Sequence, residues 1–414
     1  MSSDLNTKLA TSNSIQEEWN LEKIDNVCEL VREPFTPSDD DIRKYVGLEH
    51  IEQGTLKLCG IGSSSCVKSN KLQFRSGQIL FGKLRPYFRK VIRPDFDGVC
   101  STDILVIDSK KGYDNGYLFY FFANNEMIEE ATRSSEGTRM PRASWKYLSQ
   151  LKKPFPSLPE QRAIAEILSS LDDKIKLNRR MNATLEQIAQ AIFKQWFIDF
   201  EFPDENGQLY KSSGGEMVES ELGEIPRGWE VKSIDEIADF LNGLALQKYP
   251  PEGDDYLPVI KIRELKQGIT DSTDKASPNI DEKYIIDDGD VLFSWSGSLE
   301  CCLWSHGKGA LNQHLFKVTS EHYPKWFYYF WIMQHLPAYR RIAKDKTTTM
   351  GHIKRRHLSE SLVLVPPMET IDKMDVMMNP LFEKTLLNNL NSLLLSLIRD
   401  LLLPKLMSGR IRLS

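Results

Sequence analysis

Two segments of the chain concentrate arginine and lysine beside aromatic and hydroxyl residues, and such side chains suit contacts with phosphates and base edges. The segment 71–93 holds seven basic residues, no acidic one, and the aromatic pair Tyr87 and Phe88. The segment 340–356 holds seven basic residues against the single Asp345. Lys and Arg neutralise phosphates, while Arg, Asn, Gln, Ser and Thr can read base edges. Two such segments favour nucleic-acid binding over a pair of merely solvated faces.

The sequence patterns typical of catalytic sites are weaker than the two basic segments. The segment 306–309 lacks the upstream glycine and the hydroxyl residue of a phosphate-binding loop. The run 379–382 resembles a base-amino methyltransferase tetrad only superficially, because Asn and Pro are common at helix starts. Asp255 and Glu264 could be drawn as a nuclease site, but the internal repeat described below does not keep them. We predict neither catalytic residues nor a metal site; a self-contained methyltransferase or nuclease, or a protein-binding scaffold, remain the alternatives.

Length, charge and cysteine usage bound these interpretations. A chain of 414 residues is long for one domain and predicts two or three. The net charge of −5 would argue against nucleic-acid binding, but it averages the basic segments against acidic stretches elsewhere. The cysteines form no paired C-x-x-C pattern, so we expect reduced thiols. There is no apolar signal segment before residue 15, and the run 386–406 is interrupted by polar residues. We therefore expect a cytoplasmic protein without a membrane span.

An internal repeat with an offset near 210 residues organises the elements that must position these side chains. The run Gly77–Phe81 returns as Gly289–Phe293, and the aromatic run Tyr117–Phe122 returns as Trp326–Trp331. Each copy begins with a mixed segment of about 135–140 residues, in which short β-branched and aromatic runs alternate with turn residues. A helical segment of about 40 residues follows in each copy. The sequence therefore predicts two tandem copies of one mixed α/β unit.

Both helical segments carry apolar residues at alternating steps of four and three, the heptad spacing of a coiled coil. Polar residues interrupt the two ladders at equivalent positions, with Asn178 and Asn182 in the first against Asn388 and Ser392 in the second. Pro380 predicts a cap or kink that separates the start of the second helix. We favour pairing between the helices over a role in which each covers only its own domain. The residues predicted for pairing and partner docking are Leu168, Leu171, Ile175, Asn178, Asn182, Leu185, Ile192, Trp196, Phe197, Leu381, Asn388, Leu395 and Leu402.

Several motifs resemble those of the specificity subunits of type I restriction–modification systems. They are Leu158–Arg162, Leu171–Ile175 with Asn178–Arg180, Trp196–Phe197, Ser220–Pro226 before Gly228–Trp229, and Leu402–Gly409. The resemblance covers nearly the whole chain and agrees with the duplication. One departure is Pro366–Thr370, a degenerate counterpart of the opening of the first helix, which leaves the start of the second helix open.

The resemblance implies an α+β fold in which two tandem mixed α/β target-recognition domains are separated by two long antiparallel helices. The helices would form a coiled coil, and the repeat would have pseudo-two-fold symmetry. The expected segments are a flexible N-terminus (1–17), target-recognition domain 1 (18–157), a central spacer helix (158–200), a flexible linker (201–226), target-recognition domain 2 (227–366) and a C-terminal spacer helix (367–414).

The resemblance also implies a non-catalytic subunit that binds an asymmetric, bipartite target in double-stranded DNA. It would dock two modification (methyltransferase) subunits and the restriction subunits, and so direct adenine N6 methylation or cleavage. S-adenosylmethionine, ATP and Mg²⁺ would be bound by those partners, and no cofactor is expected on this chain. A helix of about 38 residues spans roughly 57 Å, whereas half-sites one turn apart lie about 34–36 Å from each other. The helices are therefore long enough to set the spacing of the half-sites.

Within the two domains we expect DNA contacts from turns in or near the basic segments, with a structural role as an equal alternative for each residue. In the first domain the predicted contacts are Lys83, Arg85, Tyr87, Arg89, Lys90, Ser101, Thr102, Thr138 and Arg139. In the second domain they are Ser294, Trp295, Ser296, Ser298, Asn312, Gln313, His314, Lys346, Thr348, Thr349, His352, Lys354 and Arg355.

Overall fold

The computed structural model describes residues 19–38, 40–135, 140–344 and 351–413. The chain divides into two compact units. Unit 1 comprises Met1–Lys174 with Leu395–Ser414, and unit 2 comprises Ile175–Leu394. Each unit contains strands, short helices and parts of the first long helix (Leu158–Phe197) and the second long helix (Met368–Met407). The predicted mixture of helix and sheet in two tandem units is confirmed.

Unit 1 is built around an antiparallel sheet of buried strands. Ile104–Ser109 lies between Cys28–Val31 and Ile79–Gly82, and Val91–Ile92 extends the sheet. Ile79–Gly82 and the first four residues of Ile104–Ser109 are apolar and buried, as is typical of fully buried strands. The other strands described in this unit are Asn20–Lys23, Pro34–Phe35, Lys44–Val46, Gly62–Ser63, Lys71–Phe74, Gly98–Cys100 and Lys152–Phe155, and its short α-helices are Ile24–Val27, Asn115–Ala123, Asn125–Arg133 and Trp145–Leu148.

Unit 2 repeats this strand order. Leu315–Thr319 lies between Asp239–Asn242 and Val291–Ser294, and Cys301–Leu303 extends the sheet. Each of these strands follows its unit 1 counterpart by about 210 residues, so the two copies share one sheet topology. The other strands described here are Met217–Ser220, Gly223–Pro226, Glu230–Ser233, Leu257–Ile260, Lys275–Ala276, Ile285–Ile286, Gly309–Leu311 and Leu362–Val365, and the short and medium helices are Ile234–Ile237, Ile262–Gln267, Lys325–Lys344 and Arg355–Ser359.

The segment between the first long helix and the second domain, for which we predict a flexible linker, contains secondary structure and aromatic contacts. Met217–Ser220 and Gly223–Pro226 form an antiparallel hairpin. The ring of Phe202 stacks between Tyr210 and Trp229, with centroids 4.7 and 5.2 Å away. Because aromatic stacking and burial stabilise such contacts, side chains far apart in sequence hold a segment whose composition is typical of a linker.

The second long helix begins at Met368 and continues through Pro380, which corrects the predicted break at that residue. Pro380 lies on the exposed side of the helix. A proline there removes one backbone hydrogen bond, but water can solvate the carbonyl that loses its donor. The helix is therefore continuous despite the proline.

By length and composition, the second long helix is apolar enough to cross a membrane, which differs from our expectation for the run 386–406. Two of its polar residues, Asn388 and Arg399, are each 2% exposed. Both have hydrogen-bond partners on the first long helix. Pairing with another helix of the same chain thus satisfies its buried polar groups.

The two long helices contact each other at the ladder positions. Within unit 2, Nδ2 of Asn388 donates to Oδ1 of Asn182 at 2.8 Å, and Nδ2 of Asn178 donates to Oγ of Ser392 at 3.2 Å. Residue numbers rise along one helix as they fall along the other, so these paired segments run antiparallel. The predicted pairing residues of both helices are buried or half-buried.

Candidate nucleic-acid interface

In unit 1, main-chain hydrogen bonds bring three separate segments together where a core strand ends. The N–H of Lys83 donates to the carbonyl oxygen of Asp103 at 2.9 Å, and the Lys83 carbonyl accepts from the N–H of Ala143 at 2.8 Å. The N–H of Arg85 donates to the carbonyl oxygen of Pro141 at 2.8 Å. We call residues 83–87, 101–103 and 141–143 turn cluster 1.

Turn cluster 1 presents cationic, aromatic and hydroxyl groups. Arg85 and Thr102 are exposed, and Tyr87 is 48% exposed. Nε of Arg142 lies 2.9 Å from Oδ1 of Asp103, and the hydrogen bond to that carboxylate raises the pKa of Arg142. Arg142 was not among the predicted contacts. Its place here depends on pairing across segments that the sequence alone does not reveal.

The backbone of Arg85 adopts a conformation that favours glycine. Its φ is 51°, and Arg89 at the other end of the 3₁₀ turn Pro86–Phe88 has a φ of 49°. The residue equivalent to Arg85 in unit 2 is Gly297, with a φ of 67°. Side chains other than that of glycine are disfavoured in this region of φ. Unit 1 nevertheless has an arginine at a position where unit 2 has a glycine.

Unit 2 has the same main-chain arrangement with different side chains. The N–H of Trp295 donates to the carbonyl oxygen of His314 at 3.3 Å, and its carbonyl accepts from the N–H of Ile353 at 2.9 Å. The N–H of Gly297 donates to the carbonyl oxygen of Gly351 at 2.8 Å. Each bond has a counterpart in turn cluster 1 about 210 residues earlier. We call residues 295–298, 312–314 and 351–353 turn cluster 2.

Aromatic and imidazole groups dominate turn cluster 2. Nε1 of Trp295 donates to Oδ1 of Asn242 at 2.9 Å, which fixes the orientation of the indole. The centroid of its ring lies 5.7 Å from that of His314 and 6.3 Å from that of His352. Oγ of Ser296 lies 3.0 Å from Nδ1 of His314. The structure thus brings together predicted contacts from three separate segments of the sequence.

Two predicted contacts in unit 1 donate hydrogen bonds to main-chain carbonyl groups of the fold. The guanidinium of Arg89 donates to the carbonyl oxygen of Ala123 at 3.3 Å, and burial lowers its pKa. Nζ of Lys90 donates to the carbonyl oxygen of Leu48 at 2.6 Å. Both side chains are half-buried and bond main-chain carbonyls, which favours the structural alternative for them.

Three predicted contacts in unit 2 are buried: Ser296, which is 4% exposed, and Ser294 and Asn312. Ser294 is 0% exposed; its Oγ donates to the carbonyl oxygen of Ser298 at 2.9 Å and accepts from the N–H of Glu300 at 2.7 Å. Asn312 is 1% exposed, and its Oδ1 accepts from the N–H of His314 at 3.3 Å. Ser294 and Asn312 hold the shape of a turn, because polar side chains at strand ends can replace missing backbone partners.

The basic residues that follow turn cluster 2 differ from each other in their contacts. Lys354 is exposed. The guanidinium of Arg355 donates to the carbonyl oxygen of Phe240 at 3.0 Å and lies 5.9 Å from the ring centroid of Phe316. The predicted contacts Thr138, Arg139, Lys346, Thr348 and Thr349 lie outside the described residues. The described residues just after these segments include Pro141 and Gly351, which belong to the two turn clusters.

The residues that resemble catalytic motifs have structural roles in the fold. Glu264 is 0% exposed, accepts from the N–H of Lys261 at 3.1 Å and forms an ion pair with Arg263 at 2.7 Å. The run Asn379–Phe382 lies inside the second long helix. Within the described parts of the chain, no group of three or more His, Cys, Asp and Glu could hold a metal ion. Glu264 is thus a buried side chain whose hydrogen bond and ion pair belong to the fold of unit 2.

Some residues predicted for docking are buried in the domain cores, which corrects that part of the prediction. Trp196 and Phe197 are 5% and 0% exposed in the core of unit 2, and Leu168 is 0% exposed in that of unit 1. Other leucines of the second long helix are 49% to 65% exposed and recur at heptad-like steps. This leucine stripe consists of Leu387, Leu394, Leu397 and Leu401.

The family described as "Type I restriction modification DNA specificity domain" matches residues 16–187 and 226–393. The chain is 29% identical over 317 residues to the type I restriction enzyme MjaIX specificity subunit of Methanocaldococcus jannaschii, covering 73% of this chain and 70% of that protein. It is 27% identical over 406 residues to the type I restriction enzyme HindI specificity subunit of Haemophilus influenzae, covering 82% of this chain and 88% of that protein.

A solved structure supports the fold. The crystal structure of the type I restriction-modification system S subunit from M. genitalium aligns with a TM-score of 0.53 and 15% sequence identity, covering 94% of this chain and 96% of that one. At this level of identity the likeness concerns the fold alone.

Proposed function

The chain belongs to the type I restriction–modification DNA specificity family, and from this premise we propose that it reads DNA through its two turn clusters and carries its catalytic partners on its long helices. It is the DNA-recognition subunit of such a system and is not itself an enzyme. One observation carries the proposal: in both units the same main-chain hydrogen bonds bring three segments together, and each unit displays its own set of polar and aromatic side chains there.

Each turn cluster contacts one half of a bipartite target. Arg85 and Arg142 in turn cluster 1 suit phosphates or guanine edges, whereas Trp295, Gln313 and His352 in turn cluster 2 suit a different set of contacts. Because the two backbones match while their side chains differ, the two halves of the DNA target differ in sequence. The target is therefore asymmetric.

The long helices form an antiparallel coiled coil in which the two copies of the repeat are related by a pseudo-two-fold axis. Two hydrogen bonds support this symmetry. Asn178 bonds Ser392, and their equivalents in the repeat, Asn388 and Asn182, bond each other. Each helix has 40 residues and is about 60 Å long. That length is sufficient to hold half-sites about one DNA turn apart, roughly 34–36 Å.

Two modification subunits dock on the helices, and the restriction subunits join the same complex. Heptad-like steps of exposed leucines present the surface against which another helix packs, so the leucine stripe is one docking face. The modification subunits bind S-adenosylmethionine and methylate adenine N6, and the restriction subunits use ATP and Mg²⁺. We place the assembled complex in the cytoplasm, on double-stranded DNA and away from membranes.

Coexpression with the modification subunit, followed by sequencing of methylated genomic DNA, tests this function. We expect one asymmetric bipartite motif, methylated at adenine only when both proteins are present. Cells with the modification subunit alone are the control. Absence of such a motif from an assembled complex that binds S-adenosylmethionine would contradict the proposal.

A further inference from the structure

A buried ion pair joins the two long helices in unit 1. Nη1 of Arg399 lies 2.6 Å from Oδ1 of Asp172, and the hydroxyl of Tyr120 donates to Oδ2 of the same carboxylate at 2.7 Å. Asp400 lies 3.0 Å from the same guanidinium. The Arg399 side chain is 3% exposed. Burial lowers its pKa, but the two carboxylates more than offset this and raise it. The guanidinium is therefore charged and depends on its partners.

The equivalent crossing in unit 2 is apolar. At an offset of 210 residues, Asp172 corresponds to Phe382 and Arg399 corresponds to Ala189. Phe382 and Ala189 are 9% and 5% exposed and belong to the same buried cluster. Tyr329, the counterpart of Tyr120, packs its ring 5.2 Å from that of Phe382. Two equivalent positions in one repeat thus use opposite chemistry.

We propose that this difference is a pairing code, through which each long helix accepts the unlike helix and rejects the same helix of a second copy of the chain. In a pair of two second helices, Arg399 would face Phe382. In a pair of two first helices, Asp172 would face Ala189. In the pair of second helices, Arg399 would keep only the exposed carboxylate of Asp400. A buried charge that loses a partner is destabilising, and such a mismatch is an effective device against wrong partners. Arg399 has the larger effect, because Asp172 is 26% exposed.

The polar residues at the centre of the helices do not discriminate in this way. Asn178 and Asn388 are the same residue type at equivalent positions, so a like pair would place asparagine opposite asparagine. Among these helix positions, the Asp172–Arg399 crossing therefore distinguishes like from unlike pairs by charge. A consequence for recognition rests on the proposed function. Pairing of unlike helices keeps two different turn clusters in one molecule and prevents a dimer that would present one cluster twice.

Charge reversal in the full chain tests the code without DNA. We expect the single variants Asp172→Arg and Arg399→Asp each to lower the melting temperature by more than about 5 °C. The double variant should recover most of that loss and remain monomeric in light scattering. The exposed pair Glu369–Lys373, which lies within the second helix at 2.9 Å, provides the matched control. Its reversal should shift the melting temperature by about 1 °C or less.

Coexpression of two variants distinguishes selective helix pairing from a general stabilising effect of the ion pair. Two differently tagged chains, one carrying Asp172→Arg and the other Arg399→Asp, are coexpressed. Exchange of helices between the copies restores opposite charges at both crossings, so they should copurify as a heterodimer. Each variant expressed alone should give a monomer or insoluble protein. Two results would overturn the pairing code: a double variant that is no more stable than the single variants, or mixed chains that copurify no better than chains with reversed charges at Glu369 and Lys373. Neither result would bear on DNA recognition.

Discussion

Asn178 and Asn388 stand 210 residues apart at equivalent positions of the repeat, and Nδ2 of the first lies 3.4 Å from the carbonyl oxygen of the second. They are 1% and 2% exposed. Each position is therefore in contact with its own counterpart. Further hydrogen bonds to Ser392 and Asn182 satisfy both amides inside the helix pair.

Removing this central contact should destabilise the helix pair. The Asn178→Ala substitution deletes the donor to Ser392 and leaves buried polar groups without a partner, so we expect the free energy of unfolding to fall by about 1–3 kcal/mol. Urea denaturation of the full chain measures the loss. Arg180→Ala, at an exposed position on the same helix, should change stability by less than about 0.5 kcal/mol. Equal stability of the two variants would show that the asparagine is dispensable.

Arg85→Gly should separate binding from stability. Glycine relieves the positive φ, so the melting temperature should be unchanged or higher. Loss of one good base or phosphate contact should weaken binding of the assembled complex to its target by about tenfold, since such contacts contribute about 1–3 kcal/mol. Arg89→Gly is the control: it has the same sign of φ but faces inward, and it should lower stability. A destabilised Arg85→Gly protein with normal affinity would assign Arg85 a structural role.

The salt dependence of binding should identify phosphate contacts. Lys83→Ala and Lys354→Ala should each reduce the slope of log affinity against log salt by about one, because each lysine would release one condensed counterion. Titration of the complex with cognate and unrelated duplexes measures this, and both should weaken alike. Lys308→Ala, at a lysine 3.9 Å from Asp287 and 70% exposed, serves as the comparison. An unchanged slope would remove the mutated lysine from the interface.

The leucine stripe should be needed for assembly but not for folding. Leu394 and Leu397 are 56% and 54% exposed, so replacing both with glutamate should leave the melting temperature of the isolated chain within about 2 °C. The charges would be buried on docking, so copurification with the modification subunit should be lost. Lys384→Glu changes charge at another exposed position of this helix and should keep assembly. Retained assembly of the double variant would place docking elsewhere.

The sequence predicts well those elements that the local spacing of apolar residues specifies. The run Gly77–Phe81 and its copy Gly289–Phe293 both contain buried strands, because unbroken apolar runs bounded by turns have few other solutions. The heptad ladders likewise specified two long helices. Asn178 and Asn388 were recognised as interruptions of those ladders, and the structure places both inside the helix pair.

The remainder depended on contacts between distant residues. Arg89 and Ser294 have the residue types of DNA contacts, yet tertiary structure turns both inward to satisfy carbonyl groups. The stack of Phe202 with Trp229 orders a segment that is polar by composition. Heptad spacing also occurs twice on the second helix, once in the buried ladder and once among Leu387, Leu394 and Leu401. Spacing alone does not say which face meets which partner.

The two turn clusters are held in the same shape by main-chain hydrogen bonds, such as those from Lys83 to Asp103 and from Trp295 to His314. The backbone frame of each cluster therefore does not depend on exposed side chains such as Arg85 and Thr102, although the buried Asn312 helps to hold its turn. We expect substitutions of these exposed side chains to have little effect on folding. If the turn clusters contact DNA as proposed, laboratory selection can seek new DNA preferences by randomising the exposed turn residues and leaving the strands intact.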